Sequence, residues 1–232
     1  MNFAKLTDDL FDRQHYSRNE LNLFAGHHVS ALESLPNLPM PASMVSATKA
    51  SYAAYQASLG LLATKGAQQV GGTITREDAK EEVIAFISRK EGLVKSHFGK
   101  KSAAYAEFYP QGVSEYATAT VEGLLALLER YYAIADKYKA IVGEAFVGEF
   151  DQLRLQYAEV RQSQSTGITL NKDAQAQVRE ARKALTLQLT RNVLTIAAAC
   201  IESPDAFGRW FNFGLLEADN RPSNTTEVPA QG

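Results

Sequence analysis

The chain has 232 residues, of which 45% are hydrophobic and 22% charged, and its formal net charge is −2. That length and apolar content suffice for a real core, in one elongated domain or two small ones, and exclude a chain disordered throughout. The near-neutral charge argues against general nucleic-acid binding, which draws on a strong basic surplus.

At the N-terminus, Phe3, Leu6, Leu10 and Phe11 are scattered through a polar stretch and allow a short amphipathic helix. The start lacks the basic-then-apolar plan of a secretory signal peptide. No apolar run approaches the roughly 20 residues that a membrane span needs. A cytoplasmic protein without a membrane span is expected. Ser17 with Glu20 has capping-box spacing, so a helix is expected from Ser17 to Leu35, with Leu21, Phe24, His28, Ala31 and Leu35 on one face. Pro36, Pro39 and Pro41 then form a linker that stops it.

An alanine-rich helix is expected over 43–70 and is read as ending at Gly71-Gly72. Thr73 or Thr75 would cap the next helix, which carries Ala79, Val83, Phe86, Ile87, Val94 and Phe98 inward and ends in Lys95, Lys100 and Lys101. The short glycine connection would make these two helices antiparallel neighbours. Residues 103–112 are read as a loop or an irregular helix.

The strongest pattern follows. Val113, Ala117, Thr120, Leu124, Leu127, Tyr131, Ile134, Tyr138 and Ile141 alternate in steps of four and three, the spacing of a helix packed along a seam. Leu125, Leu128, Tyr132 and Ala135 make a second stripe, so this helix needs cover on several sides. Phe146, Phe150, Leu153, Tyr157 and Val160 start a shifted register. Gly143 and Gly148 flank the shift, and a break or sharp kink is expected there. Ser165-Thr166-Gly167 reads as a stop, with Thr169 or Asn171 capping a last long helix whose stripe is Val178, Ala181, Leu185, Leu189, Ile196 and Cys200. Ser203-Pro204 opens a short helix with Pro at its first position. The segment from Ala218 onward has little to bury and reads as a disordered tail.

The fold class is therefore all-α: an antiparallel bundle of four to five long helices plus short terminal helices. Its expected organisation is 1–42 as short helices and linker, 43–216 as the bundle, and 217–232 as the tail.

Tests for chemistry return little. Glu-x-x-His pairs and zinc spacings are absent, His27 and His28 diverge around a helix, and His97 stands alone, so no metal site is expected. Cys200 is the single cysteine and lies in an apolar run, where a buried small hydrophobe is expected rather than a reactive thiol. Gly-x-Ser-x-Gly, Gly-x-Gly-x-x-Gly and the Walker A loop are absent, and Ser46-Ala47-Thr48-Lys49 lacks the companion motifs of a Ser-x-x-Lys enzyme. No cofactor is expected. Carboxylate pairs such as Glu115 with Glu122, and basic groups such as Arg179, Arg182, Lys183 and Arg191, read as solvated helix faces.

Two aromatic groups stand out: Tyr105, Phe108 and Tyr109, and then Phe207, Trp210, Phe211 and Phe213. They read either as lids closing the bundle or as a surface for a protein partner or a second copy, because such rings dominate interfaces. The leading functional expectation is a non-enzymatic interaction or assembly module. The alternative is a ligand-binding or enzymatic bundle with an internal polar pocket, marked by Thr120, Gly123, Tyr131, Tyr138 and Asn192 on otherwise apolar faces.

Overall fold

The computed structural model describes residue 11 and residues 16–35 and 40–216. The expected first helix around Phe3, Leu6 and Leu10, the prolines Pro36 and Pro39, and the tail from Ala218 lie outside these residues. The described chain is all-α, with no strand. Its helices are α1 (Arg18–Ser34), α2 (Ala42–Phe98), α3 (Ala103–Phe108), α4 (Ser114–Thr118), α5 (Val121–Lys137), α6 (Lys139–Val142), α7 (Glu144–Ala199) and α8 (Pro204–Phe207), followed by a 3-10 turn (Phe213–Leu216). None of them is long and apolar enough to cross a membrane.

The chain divides into two compact units. Unit 1 comprises Met1–Ala63 and Asp173–Gly232, and unit 2 comprises Thr64–Lys172. The helices α2 and α7 contribute to both. Within unit 1, Asn192 donates to Thr48 and Thr195 to Met44. Within unit 2, Asn171 donates to Gln69, and Gln164 to Thr73. In each unit, later residues of α2 meet earlier residues of α7, so the two helices run antiparallel there.

Local signals explain α1. The Ser17 hydroxyl accepts the Glu20 backbone N–H at 3.1 Å, and the Glu20 carboxylate accepts the Ser17 N–H at 2.6 Å. This satisfies two donors that a bare helix start leaves orphaned. Leu21, Phe24, His28 and Ala31 are buried on the expected face.

Two expected helix ends are corrected. The chain does not turn at Gly71-Gly72: α2 runs unbroken for 57 residues. Nor does it stop at Ser165-Thr166-Gly167, because α7 runs for 56 residues. The hydroxyls that read as caps bond backwards within running helices instead. Thr73 donates to the Gln69 carbonyl and Thr75 to the Gly71 carbonyl, each at 3.0 Å, while Thr166 donates to Gln162 at 3.1 Å and Thr169 to Ser165 at 3.2 Å. A glycine inside a helix costs only about 1 kcal/mol relative to alanine. The polar contacts among Gln69, Thr73, Arg76, Gln164 and Asn171 join α2 to α7 through this stretch and outweigh that cost.

The heptad stretch is one helix in sequence and three in space. Thr120 adopts an extended backbone and caps α5 by accepting the Gly123 N–H at 3.1 Å. A second interruption falls at Tyr138. The third falls at Gly143, whose φ of +94° lies where a Cβ is strained. This is the expected break between the two registers. The buried seam of α5 is Leu124, Leu128, Tyr131 and Ala135. It takes members from both expected stripes, because the burial phase follows the neighbours rather than the longest run of matches.

Each unit has its own core. Unit 1 gathers Leu21, Phe24, Leu32, Tyr55, Leu185, Leu189, Ile196 and Trp210. Unit 2 gathers Phe86, Ile87, Val94, Phe108, Tyr116, Tyr131, Phe146 and Phe150.

Candidate functional site

The seven aromatic residues singled out from sequence fall into two separate clusters. Tyr105, Phe108 and Tyr109 sit on and just after α3, whose start is capped by the Ser102 hydroxyl accepting the Tyr105 N–H at 3.0 Å. All three are buried. The Phe108 ring stands edge-on to Tyr131 at 5.2 Å, and Tyr109 edge-on to Tyr116 at 6.4 Å. Phe207, Trp210, Phe211 and Phe213 belong to unit 1 and close over α1. Phe211 stacks on Phe24 at 6.1 Å and on His28 at 4.3 Å. Trp210 and Phe211 are buried, Phe207 is half-buried, and Phe213 is 41% exposed. Most of this aromatic area is therefore spent inside each unit.

Beneath Phe211 lies a closed polar network that only Asn192 had signalled. His28 Nδ1 lies 2.9 Å from the Trp210 carbonyl. His28 Nε2 lies 3.1 Å from Asn192 Nδ2, and that amide also donates to the Thr48 hydroxyl at 2.6 Å. Gln188 Nε2 donates to Asn192 Oδ1 at 2.9 Å, and Thr48 donates to the Met44 carbonyl at 2.7 Å. One proton arrangement satisfies every member: His28 neutral, with its hydrogen on Nδ1. Burial pushes the His28 pKa down to about 4, against the opposing pull of the Trp210 carbonyl. Every partner is spoken for, so the network is a structural tie rather than an open site.

Unit 2 builds its polar interior from tyrosines. The hydroxyls of Tyr131 and Tyr109 meet at 3.1 Å, and Tyr109 donates onward to the Ile87 carbonyl at 3.2 Å. Burial raises both pKa values, so both stay neutral phenols. Tyr116 donates to the Phe108 carbonyl at 2.6 Å. Arg130 makes a two-pronged pair with Glu115 at 2.9 and 2.8 Å and also reaches the Tyr116 hydroxyl at 3.1 Å. The Arg130 hydrogen bonds hold the Glu115 carboxyl below its usual range. Tyr105 donates to Glu91, which pushes the phenol up to about 12.

The five residues expected to mark one polar pocket are thus divided. Thr120 and Gly123 form a helix cap, Tyr131 and Tyr138 join the ring cluster of unit 2, and Asn192 belongs to the unit 1 network.

Two further features were not signalled by any motif. In unit 1, the outward face of α7 carries Leu187 and Leu194, 40% and 41% exposed, and Ile201, 77% exposed, follows in the turn just beyond the end of the helix. Exposed Arg191 and Ala198 lie on the same helix face, spaced by four and three residues from the two leucines. An apolar cavity of about 240 Å³ opens beside it, lined by Ala197, Cys200, Ile201, Pro204 and Phe207. In unit 2, two cavities of about 480 and 210 Å³, lined by both polar and apolar surface, share the buried Gln164.

Among the described residues, no group of three or more His, Cys, Asp or Glu side chains is placed to hold a metal ion. No protein-family model matches this chain, and no curated protein or solved structure matches it either.

Proposed function

We propose that the protein is a non-enzymatic assembly module whose partner is a second copy of itself, docked along the outer face of α7 in unit 1. The observation that carries this reading is the exposed stripe Leu187, Arg191, Leu194 and Ala198 on α7, with Ile201 exposed in the turn that follows. The opposite side of the same helix buries Leu185, Leu189, Asn192 and Ile196. A helix apolar on two sides leaves one side in water, and such patches mark interaction surfaces.

Charge favours a second copy over an unrelated partner. Exposed Arg179 and Lys183 lie before Leu187 with one acid, Glu180, among them, and exposed Glu202 and Asp205 follow Ile201. Two copies related by a two-fold axis near Leu194 bring the basic end of each stripe toward the acidic end of the other. In that arrangement Leu187 of one copy meets Ile201 of its partner, and the apolar cavity beside Ile201 accepts a side chain from across the axis. The long helices then serve as an antiparallel scaffold that holds the stripe straight.

The test is sedimentation equilibrium on the full chain at micromolar concentration. The native protein is expected to be dimeric, and Leu194→Glu is expected to be monomeric with unchanged helicity by circular dichroism. A native protein that is monomeric throughout this range overturns the reading.

A further inference from the structure

The smaller cavity of unit 2, about 210 Å³, is bordered by Arg76 from α2, by Arg161, Gln164 and Ser165 from α7, and by Glu122 in the first turn of α5. Its cationic side is built rather than incidental. Gln164 is 7% exposed and donates from Nε2 to the Thr73 hydroxyl at 3.0 Å, which turns its Oε1 toward Arg76. Arg76 Nη1 donates to that Oε1 at 2.9 Å, and Nη2 pairs with Glu77. The guanidinium is thereby fixed, and its Nε–H is left buried with no partner among the protein atoms.

A second orphan lies in the same unit. Tyr157 is fully buried, one helical turn before Arg161, and its hydroxyl has no hydrogen-bond partner. Arg76, Arg161, Glu77 and Glu122 act electrostatically on this hydroxyl, and Arg76, Arg161 and Glu122 border the cavity. Arg161 is half-buried and has no ion pair among the described residues. The groups left unspent here are therefore N–H and O–H donors: Arg76 Nε, the Arg161 guanidinium and the Tyr157 hydroxyl. Buried donors without acceptors are costly, and an oxyanion is the ligand that relieves several at once.

We propose that this cavity binds a small oxyanion, a phosphate or a short carboxylate, between Arg76 and Arg161, with the Tyr157 hydroxyl as a third donor. At about 210 Å³ the cavity has room for a small oxyanion and a few further atoms. Glu122 opposes the ligand's charge and holds the affinity down. The site lies in unit 2 and is independent of the assembly reading, which rests on unit 1.

The experiment is an NMR titration of the isotope-labelled full chain with phosphate, sulfate, succinate and chloride at constant ionic strength, following the Arg Nε–H and the backbone signals of 157–168. Saturable shifts with phosphate or succinate and none with chloride are expected. Affinity should fall at least tenfold in Arg161→Gln, fall about threefold in Tyr157→Phe, and rise in Glu122→Gln. Stronger binding of phosphate than of succinate identifies a phosphate ligand, and the reverse a carboxylate. Absence of a saturable shift with any of the three oxyanions overturns the proposal, as does binding that Arg161→Gln leaves unchanged. Sedimentation of Arg161→Gln should match the native protein, so the two readings fail separately.

Discussion

The two units solve the same problem with different chemistry. Both must bury polar atoms between long helices, and both do so around aromatic rings. Unit 1 uses amides and an imidazole: His28, Asn192, Gln188 and Thr48 form a closed set beneath Phe211. Unit 2 uses phenols: Tyr109, Tyr116 and Tyr131 donate among themselves and to carbonyls, with the Arg130–Glu115 pair at the edge. Phenols stay neutral at every pH below their raised pKa values, whereas an imidazole does not. The contrast therefore makes unit 1 the acid-sensitive half, while unit 2 depends mainly on ring packing.

The largest effect should come from the ring cluster. Tyr131 is fully buried and contacts Phe108, Tyr116, Phe146 and Phe150. Tyr131→Ala is expected to cost about 4 kcal/mol by opening a cavity, whereas Tyr131→Phe should cost about 1 kcal/mol by losing one hydroxyl contact. Hydrogen exchange read at amides of 121–157 checks both. Equal losses for the two variants would mean that the hydroxyl chain, not the packing, holds unit 2.

The next effect is the acid response of unit 1. The folded state lowers the His28 pKa from 6.5 to about 4, so it favours the neutral ring. Its contribution is complete above pH 6.5 and is lost as pH falls. The loss is about 2 kcal/mol by pH 5 and about 3 kcal/mol at pH 4. Glu115, with its pKa lowered, keeps its full contribution above the usual carboxylate range and loses it as the pH falls through that range. Exchange protection should therefore weaken in 18–34 and 185–196 between about pH 6.5 and 5 while 121–137 holds. Asn192→Ala, which strands the His28, Gln188 and Thr48 partners, should cost about 3 kcal/mol at neutral pH. Parallel weakening of both units over this pH window would refute the contrast.

The smallest effect concerns the backbone, and its sign is the informative part. Nothing lies within 4 Å of a Cβ added at Gly71, and the position is mid-helix. Gly71→Ala should therefore stabilise by up to about 1 kcal/mol. Gly143→Ala has equal space but a φ of +94°, and should destabilise by about 1 to 2 kcal/mol. Thermal melts of the two variants should move in opposite directions. A loss of stability in Gly71→Ala would point back to a turn at that position.

Legibility in the sequence tracked the range of the interaction. The Ser17–Glu20 capping box, the Gly143 break and Pro204 at the start of α8 were readable because each motif is satisfied within four residues of itself. The stops expected at Gly71-Gly72 and Ser165-Gly167 are absent, because both helices run on. The same residue types serve a running helix when a second helix supplies polar partners, and those partners lie 88 to 102 residues away. The expected stops also hide the cavities, since Gly72 and Gly167 read as helix ends rather than as parts of continuous helices. The aromatic residues stand out in the sequence, but whether a ring faces its own core or solvent depends on neighbours that no local spacing names. Asn192 was marked too, and its role waited on His28, 164 residues away.

What the chain alone establishes is the all-α class, the local caps and the near-absence of chemical motifs. These follow from periodicity and backbone preference, which act within one or two helical turns. The three-dimensional arrangement decided where helices continue, which stripe of α5 is buried, and which side of α7 is left bare. It also decided which polar atoms find partners. Those outcomes depend on the free energy of pairing segments distant in sequence: a glycine worth about 1 kcal/mol is overridden by a few buried contacts, and a heptad takes its phase from whatever packs against it.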